Sequence, residues 1–323
     1  MTCRKLHTEL NRLITTRLAF AIPIYAQDPS LYAHGIKSFA QVYFAFEDAW
    51  QDLISQTLSD QNSTNGQPQQ RSQQIHRYLS TLVPPGLWRT QRLESDISYL
   101  ETTFGVSKDA GQNKQSRAFS SHIYEAIKQR PHVLLAYSWV MYMATFSGGR
   151  WIRQQLGDAG ADFWRIPPTL QSQLRKEKTT PGVSFLCFDG DRDGEDIKID
   201  FKTRLAKADE MLTPEEKEEV IAEAKTIFTN CIGLVEALDE ELGTAARVEN
   251  VKQGSQGGLL DMKQKKPLYE RIKENREAMP YAYPTQGVHP LGATICIMLG
   301  IGLWFYLFSN DWLPSTTKGL LSG

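Results

Sequence analysis

His7, the Ser147-Gly148-Gly149-Arg150 run, the Lys198/Lys202 pair and the acidic stretch 189–200 are where residue type and spacing could do chemistry. A neutral imidazole at position 7, on the flank of a helical face of Leu6, Leu10 and Ile14, could coordinate a metal from the edge of a pocket. Taken alone, it reads more simply as a partly exposed side chain. The two adjacent glycines sit inside a helical pattern, where they cost about 2 kcal/mol relative to alanine. Such a pair permits a kink, or close approach of the backbone to something flat. A helix–helix contact or a break between two helices accounts for it equally well. Lys198 and Lys202 are four residues apart, so both cations could meet one anionic edge, or simply face water.

Asp189, Asp191, Asp193, Gly194 and Asp200 fall at positions 1, 3, 5, 6 and 12 of a calcium-loop pattern. Position 8 is Asp196 instead of a hydrophobic residue, and position 12 is Asp instead of Glu, so an acidic surface loop competes with that reading. The four cysteines, Cys3, Cys187, Cys231 and Cys296, are far apart and form no CxxC pair. That spacing argues against a disulfide framework or zinc site and for a reducing compartment. A net charge of -1 gives no overall attraction to nucleic acid.

The elements that would position these residues are almost all helical. Apolar spacing predicts a helix over residues 2–17. Asp28-Pro29-Ser30 opens a second, with Pro29 suited to a first turn, running through Ile36, Tyr43 and Phe46 to about Leu58. Residues 59–74 are polar and aperiodic and read as a loop. Helical spacing returns over 75–82 and 93–104, a polar loop covers 107–117, and a helix covers 119–128. The most apolar stretch, 132–156, reads as one helix. Residues 182–188 could be a short strand or a loop, and helices are expected over 197–207 and 214–242, the latter capped by Thr213.

In order along the chain, RKLHTELNRLI, YFAFEDAW, PHVLLAYSWVMYMATFSGGRWI, GVSFLCF, IKIDFKTRL and EEVIAEAKTIFTNCIGLVEAL resemble segments of heme oxygenases, over roughly residues 2–245. The resemblance implies an all-α, multi-helix domain. It implies that heme is both cofactor and substrate, opened to biliverdin, ferrous iron and carbon monoxide with dioxygen. Electrons would come from NADPH–cytochrome P450 reductase or a similar donor. By the same resemblance His7 matches the proximal iron ligand, and Gly148 and Gly149 match glycines that let the distal helix lie close over the porphyrin. Lys198 and Lys202, with Arg4, match cations that reach the propionates, and Phe228 matches an aromatic wall position. Thr145 stands where the family has an aspartate that orders water around dioxygen, Trp139 where a tyrosine is usual, and Ala144 where a glycine is. A hydroxyl cannot hold and relay protons as a carboxylate does. A non-catalytic heme sensor or carrier on the same fold is therefore the alternative.

From Leu291 to Ser309 the chain has 19 uncharged residues. At about 1.5 Å per residue they would cover roughly 28 Å, near the ~30 Å hydrocarbon core. Trp304, Tyr306 and Trp312 cluster at the far end, and Lys263, Lys265, Lys266, Arg271, Lys273 and Arg276 precede the span, as a cytosolic N-terminal side requires. The apolar run Leu18–Ala26 could imitate a signal peptide, but Pro23 interrupts it and an amphipathic helix precedes it. The expected organisation is a domain over 1–245, a tether over 246–290 and a transmembrane helix over 291–310. The endoplasmic reticulum is the expected membrane for this tail-anchored arrangement.

Overall fold

The computed structural model describes residues 2–23, 25–60, 70–177 and 179–244, all within one compact unit. The tether and the apolar span lie outside the described residues. Among the described residues every regular element is helical, and no helix is long and apolar enough to cross a membrane. In chain order they are α1 (Cys3–Phe20), α2 (Ser30–Asp60), α3 (Gln70–Ser80), α4 (Thr90–Phe104), α5 (Lys114–Gln129), α6 (Leu134–Phe146), α7 (Gly148–Gly157), α8 (Pro168–Glu177), α9 (Glu195–Ala206), α10 (Ala208–Met211) and α11 (Pro214–Leu242). Two 3-10 turns, Pro131–Val133 and Ser184–Leu186, lie between them.

Two long helices organise the core. α11 packs on α1, α6, α2 and α5, while α2 packs on α3, α4, α5 and α6. α11 starts with a capping box: Glu216 N–H donates to the Thr213 hydroxyl, and Thr213 N–H donates to the Glu216 carboxylate. These bonds satisfy donors that a helix start leaves orphaned. Its apolar face buries Ile227, Phe228, Cys231 and Leu234. Burial pushes the Cys231 thiol up to about 12. α1 is clasped to α11 by Arg17, whose guanidinium donates to both oxygens of Asp239.

The core between α2 and α6 is aromatic. Phe46, Trp50, Tyr137, Tyr142 and Phe201 are fully buried, with edge-on contacts of Tyr142 to Phe46 at 5.5 Å and to Phe201 at 5.8 Å. Each such ring contributes roughly 1.5–3 kcal/mol by leaving water. Glu47 is buried among them and accepts from Tyr142 Oη, the Thr90 hydroxyl and the backbone N–H groups of Arg89 and Thr90. It thereby caps the start of α4, which its neighbour Arg89 does not.

Several expectations change. The apolar stretch 132–156 is two helices, broken at Ser147 (φ −109°, ψ −77°), with a 3-10 turn before them. Ser147 N–H still donates to the Met143 carbonyl at 3.1 Å, so the break is a change of direction between helices that nearly join. Residues 70–74 are helical, and so are 114–117, the latter because Asn113 accepts from Ser116 N–H and caps α5 earlier than the apolar pattern suggests. Residues 184–186 form a 3-10 turn: Asp96 accepts from the N–H groups of Ser184 and Phe185 and so takes the bonds a strand would need. α8 had no forecast.

Candidate functional site

α6 is apolar all round and correspondingly buried all round. From residue 134 to 149 the exposed positions are Ala144, Ser147 and Gly148, all at the end of α6 and its junction with α7. A Cβ built on Gly148 would meet nothing within 4 Å. On Gly149 it would come 2.9 Å from Leu186 Cδ2. One glycine thus keeps a face open and the other admits a neighbouring chain segment. Sequence spacing treats the two as equivalent.

That neighbouring segment, residues 183–195, fixes the α6–α7 junction from outside. Phe188 stacks on Phe146 with centroids 4.6 Å apart. Arg89 also reaches this ring: its guanidinium sits 4.4 Å from the Phe188 centroid and donates to the carbonyls of Cys187 and Leu87. Arg153 makes a two-pronged contact with the Asp193 carboxylate at 2.7 and 2.6 Å, and also donates to the Leu186 carbonyl. Arg150 donates to the Asp193 carbonyl and to Glu195.

Those pairings also dispose of the calcium reading. Asp189 is paired with Arg92, Asp193 with Arg153, Glu195 with Arg150 and Asp200 with Arg204. Glu195, at position 7 of the pattern, already begins α9 and is spent on Arg150. Among the described residues no group of three or more His, Cys, Asp or Glu converges as a metal site would.

His7 lies on α1, half-buried, with its ring edge-on to Phe228 of α11 at 5.7 Å. Desolvation holds its pKa below the usual 6.5, so the ring is neutral with a lone pair available at pH 7. Among the described residues no hydrogen bond reaches the imidazole. Phe228 is both buried core and the wall of the histidine. α1, which carries His7, and α6, which leads into the glycine pair at the start of α7, share α11 as a neighbour.

Thr145 points away from the open face. Its hydroxyl is buried, 2.7 Å from Tyr43 Oη of α2, and donates to its own helix at the Met141 carbonyl (3.1 Å), to which Tyr43 Oη also donates at 2.9 Å. Burial drives the Tyr43 phenol well up, so it stays protonated. Tyr43 was not singled out by sequence, although YFAFEDAW contains it. The signal is geometric: Tyr43 and Glu47, four apart on α2, meet Thr145 and Tyr142, three apart on α6.

Of the cations, Lys198 is partly buried at the first turns of α9 and lies 3.4 Å from both Glu195 oxygens. Arg4 and Lys202 are exposed and, among the described residues, make no ion pair. The structure thus brings Lys198 together with the distal segment through Glu195. It leaves Arg4 and Lys202 facing solvent.

The family model for heme oxygenase matches residues 68–237, more than half of the chain. The chain belongs to the heme oxygenase family. Among its relatives are the heme-binding protein HMX1 of Saccharomyces cerevisiae, 23% identical over 248 residues that cover 73% of each chain, and heme oxygenase 2 of Macaca fascicularis, 22% identical over 252 residues, 74% of this chain and 73% of that one. The heme oxygenase fold is shared with heme oxygenase 2 from Chlamydomonas reinhardtii without heme, at a TM-score of 0.52 and 18% identity over 73% of this chain and 93% of that one. It is shared too with heme oxygenase-1 of the cyanobacterium Synechocystis in complex with heme, at a TM-score of 0.50 and 17% identity over 77% and 94%.

Proposed function

We propose that this heme oxygenase family member binds heme on His7 and opens it to biliverdin, ferrous iron and carbon monoxide, using dioxygen and electrons from NADPH–cytochrome P450 reductase or a similar donor. The observation that carries the reading is the pairing of two unlike surfaces. One is a neutral, desolvated imidazole backed by Phe228. The other is the α6–α7 junction, whose open positions Ala144, Ser147 and Gly148 carry only small side chains or none. These residues fit heme: an imidazole nitrogen for the iron, a surface of small residues for the porphyrin, and cations on α9 for its carboxylates.

When bound, heme supplies the iron that activates dioxygen and the meso carbon that is attacked. The chain supplies the rest. His7 would hold the iron through an imidazole nitrogen, with Phe228 edge-on against that ring. The small residues at the Gly148 face would leave room beside the bound group, and the apolar bulk of α6 would keep loose water out. Lys198 and Lys202, with Arg4, neutralise the propionates.

One observation favours a second reading, a heme carrier or sensor. Thr145 is engaged by Tyr43 and Met141, so no carboxylate stands at the open face to relay protons. Adding hemin and then a reductase with NADPH to the full chain in mild detergent separates the two readings. Loss of the Soret band with growth of biliverdin absorbance supports the oxygenase. A Soret band that persists under reductant, yet is lost in His7→Ala, supports the carrier. No Soret band at all rejects both.

We further propose that residues 291–310 anchor the chain, with the domain facing the cytosol, in the endoplasmic reticulum membrane near a membrane-bound reductase. The support is the uncharged length and the flanking basic residues in the sequence.

A further inference from the structure

The chain at 109–113, the start of α5 and the last turns of α11 line a groove of about 810 Å³. That volume is in the range of small-molecule sites. None of its lining residues comes from α1, α6, α7 or α9, so it is separate from the proposed heme surfaces. Part of the lining is small: Ala118 on α5, and Gly233 and Ala237 one turn apart on α11. Four carboxylates, Asp109, Glu236, Glu240 and Glu241, stand there against one cation, Lys114. Glu241 faces His34 Nδ1 at 3.4 Å, and the other three make no ion pair among the described residues. The C-terminal end of α11 adds the negative end of the helix dipole. Two side-chain amides add acceptors. Asn230 Nδ2 donates to the Thr226 carbonyl, so its Oδ1 is the atom that accepts from Gln115 Nε2, at 3.2 Å, and Gln115 Oε1 is left as an acceptor. Gln112 gives its Nε2 to the Lys108 carbonyl and keeps its oxygen in the same way.

We infer that this groove binds a linear polyamine, an aliphatic chain carrying two or more ammonium groups. A single metal ion does not fit, because among the described residues no three carboxylates or imidazoles converge on one point. The negative charge is spread out instead. Glu236 and Glu240 are one helical turn apart, about 6 Å along the axis, which suits charges separated along a chain. An ammonium group is all donor and no acceptor. The groove answers with carboxylates and two amide oxygens, and its glutamine N–H groups are already spent inside the protein. The methylenes between the charges can lie on Ala118, Gly233 and Ala237, where no longer side chain competes for the space. Gly233 also lets the wall form, since a Cβ there would come 2.9 Å from Gln115 Nε2. Lys114, at the start of α5, repels a cation and so directs the ammonium groups toward the α11 side. Heme has no part in this binding, so the inference stands apart from the reading above.

The test is a calorimetric titration of spermidine into the full chain, without hemin, in a nonionic detergent and at low ionic strength, where surface pairs are least screened. Saturable one-site binding is expected, together with a melting temperature that rises with spermidine. The double variant Glu236→Gln, Glu240→Gln keeps size and acceptor oxygens and removes two charges. It is expected to bind about tenfold more weakly, since each exposed pair is worth up to about fivefold. Lys114→Gln is expected to bind up to about fivefold more tightly, a gain that misfolding cannot imitate. Both variants should melt like the parent when no spermidine is present. Magnesium chloride at matched ionic strength is expected to leave the melting temperature where it was. The absence of saturable heat overturns the inference. So does a magnesium effect equal to that of spermidine, or parent-like affinity in the double variant or in Lys114→Gln.

Discussion

A threonine hydroxyl has one proton, and Thr145 uses it inside the fold. With Tyr43 as the second member and the Met141 carbonyl as the terminal acceptor, the group is closed. Thr145→Val should therefore cost about 1 kcal/mol of stability, the usual net worth of such a bond, and leave the Soret band unchanged. Thermal melts with and without hemin check this. Thr145→Asp places a carboxylate in hydrogen-bond reach of the Tyr43 phenol. If proton delivery limits turnover, it should speed biliverdin formation by up to about a hundredfold, the lower end of general acid–base contributions. Steady-state rates decide, and an unchanged rate would mean that another step is slow.

His7 gives a pH prediction whose sign is fixed by burial. Iron ligation needs the neutral ring, and desolvation lowers the pKa from 6.5. Protonation thus competes only at more acid pH than for an exposed histidine. The Soret midpoint on acidification should lie below 6.5. In the apo chain the same shift means the unfolded state binds more protons between the two pKa values, so stability rises with pH through that window. His7→Ala should flatten that part of the stability curve. The resemblance named His7 and Phe228, but their contact was not legible in spacing. His7 and Phe228 stand far apart in the chain, as do Tyr43 and Thr145, and nothing in local spacing joins them.

At the scale of elements, the α6–α7 junction separates two glycines that look alike on paper. Gly148→Leu should fold normally, since a Cβ there meets nothing, yet lower hemin affinity by at least about tenfold, or 1.4 kcal/mol. Gly149→Ala should instead lower the melting temperature, because Leu186 Cδ2 must move. Hemin titration and calorimetry of the two variants read the contrast. The helix ends that carry their own signals, such as Thr213 and Glu216 at α11, were readable in advance. The break at Ser147 was not: apolar residues run through both sides of it, and what bends the chain is outside, in Phe188, Leu186 and Asp193. α8 went unforecast for the opposite reason. Its residues are mostly exposed, so no apolar periodicity marks it.

At the scale of the whole molecule, α11 joins the histidine helix to the aromatic core, and Arg17–Asp239 is the clasp at one end. The fold class was legible because amphipathic spacing is local and repeats over long stretches. The route by which α11 links α1 to α6 was not, because it depends on which apolar faces meet. The proposed anchor gives a prediction for the full chain: it should float with phospholipid vesicles in a density gradient, and a chain ending at residue 285 should stay in the load fraction. A full chain that stays behind with the truncated one would remove the anchor from the account.

Cys231 faces the interior of α11, and its thiol is raised to about 12. Alkylating reagents attack the thiolate, so at neutral pH this sulfur is shielded both from contact and from ionisation. Its modification must wait for α11 to part from its neighbours, whereas half-buried Cys187 can react earlier. The alkylation rate at Cys231 is thus a clock for rare openings of the native state. A ligand seated against α1 and α6 should slow that clock by the factor with which it stabilises the closed form. Hemin binding could then be read from a rate of thiol modification, with no turnover required.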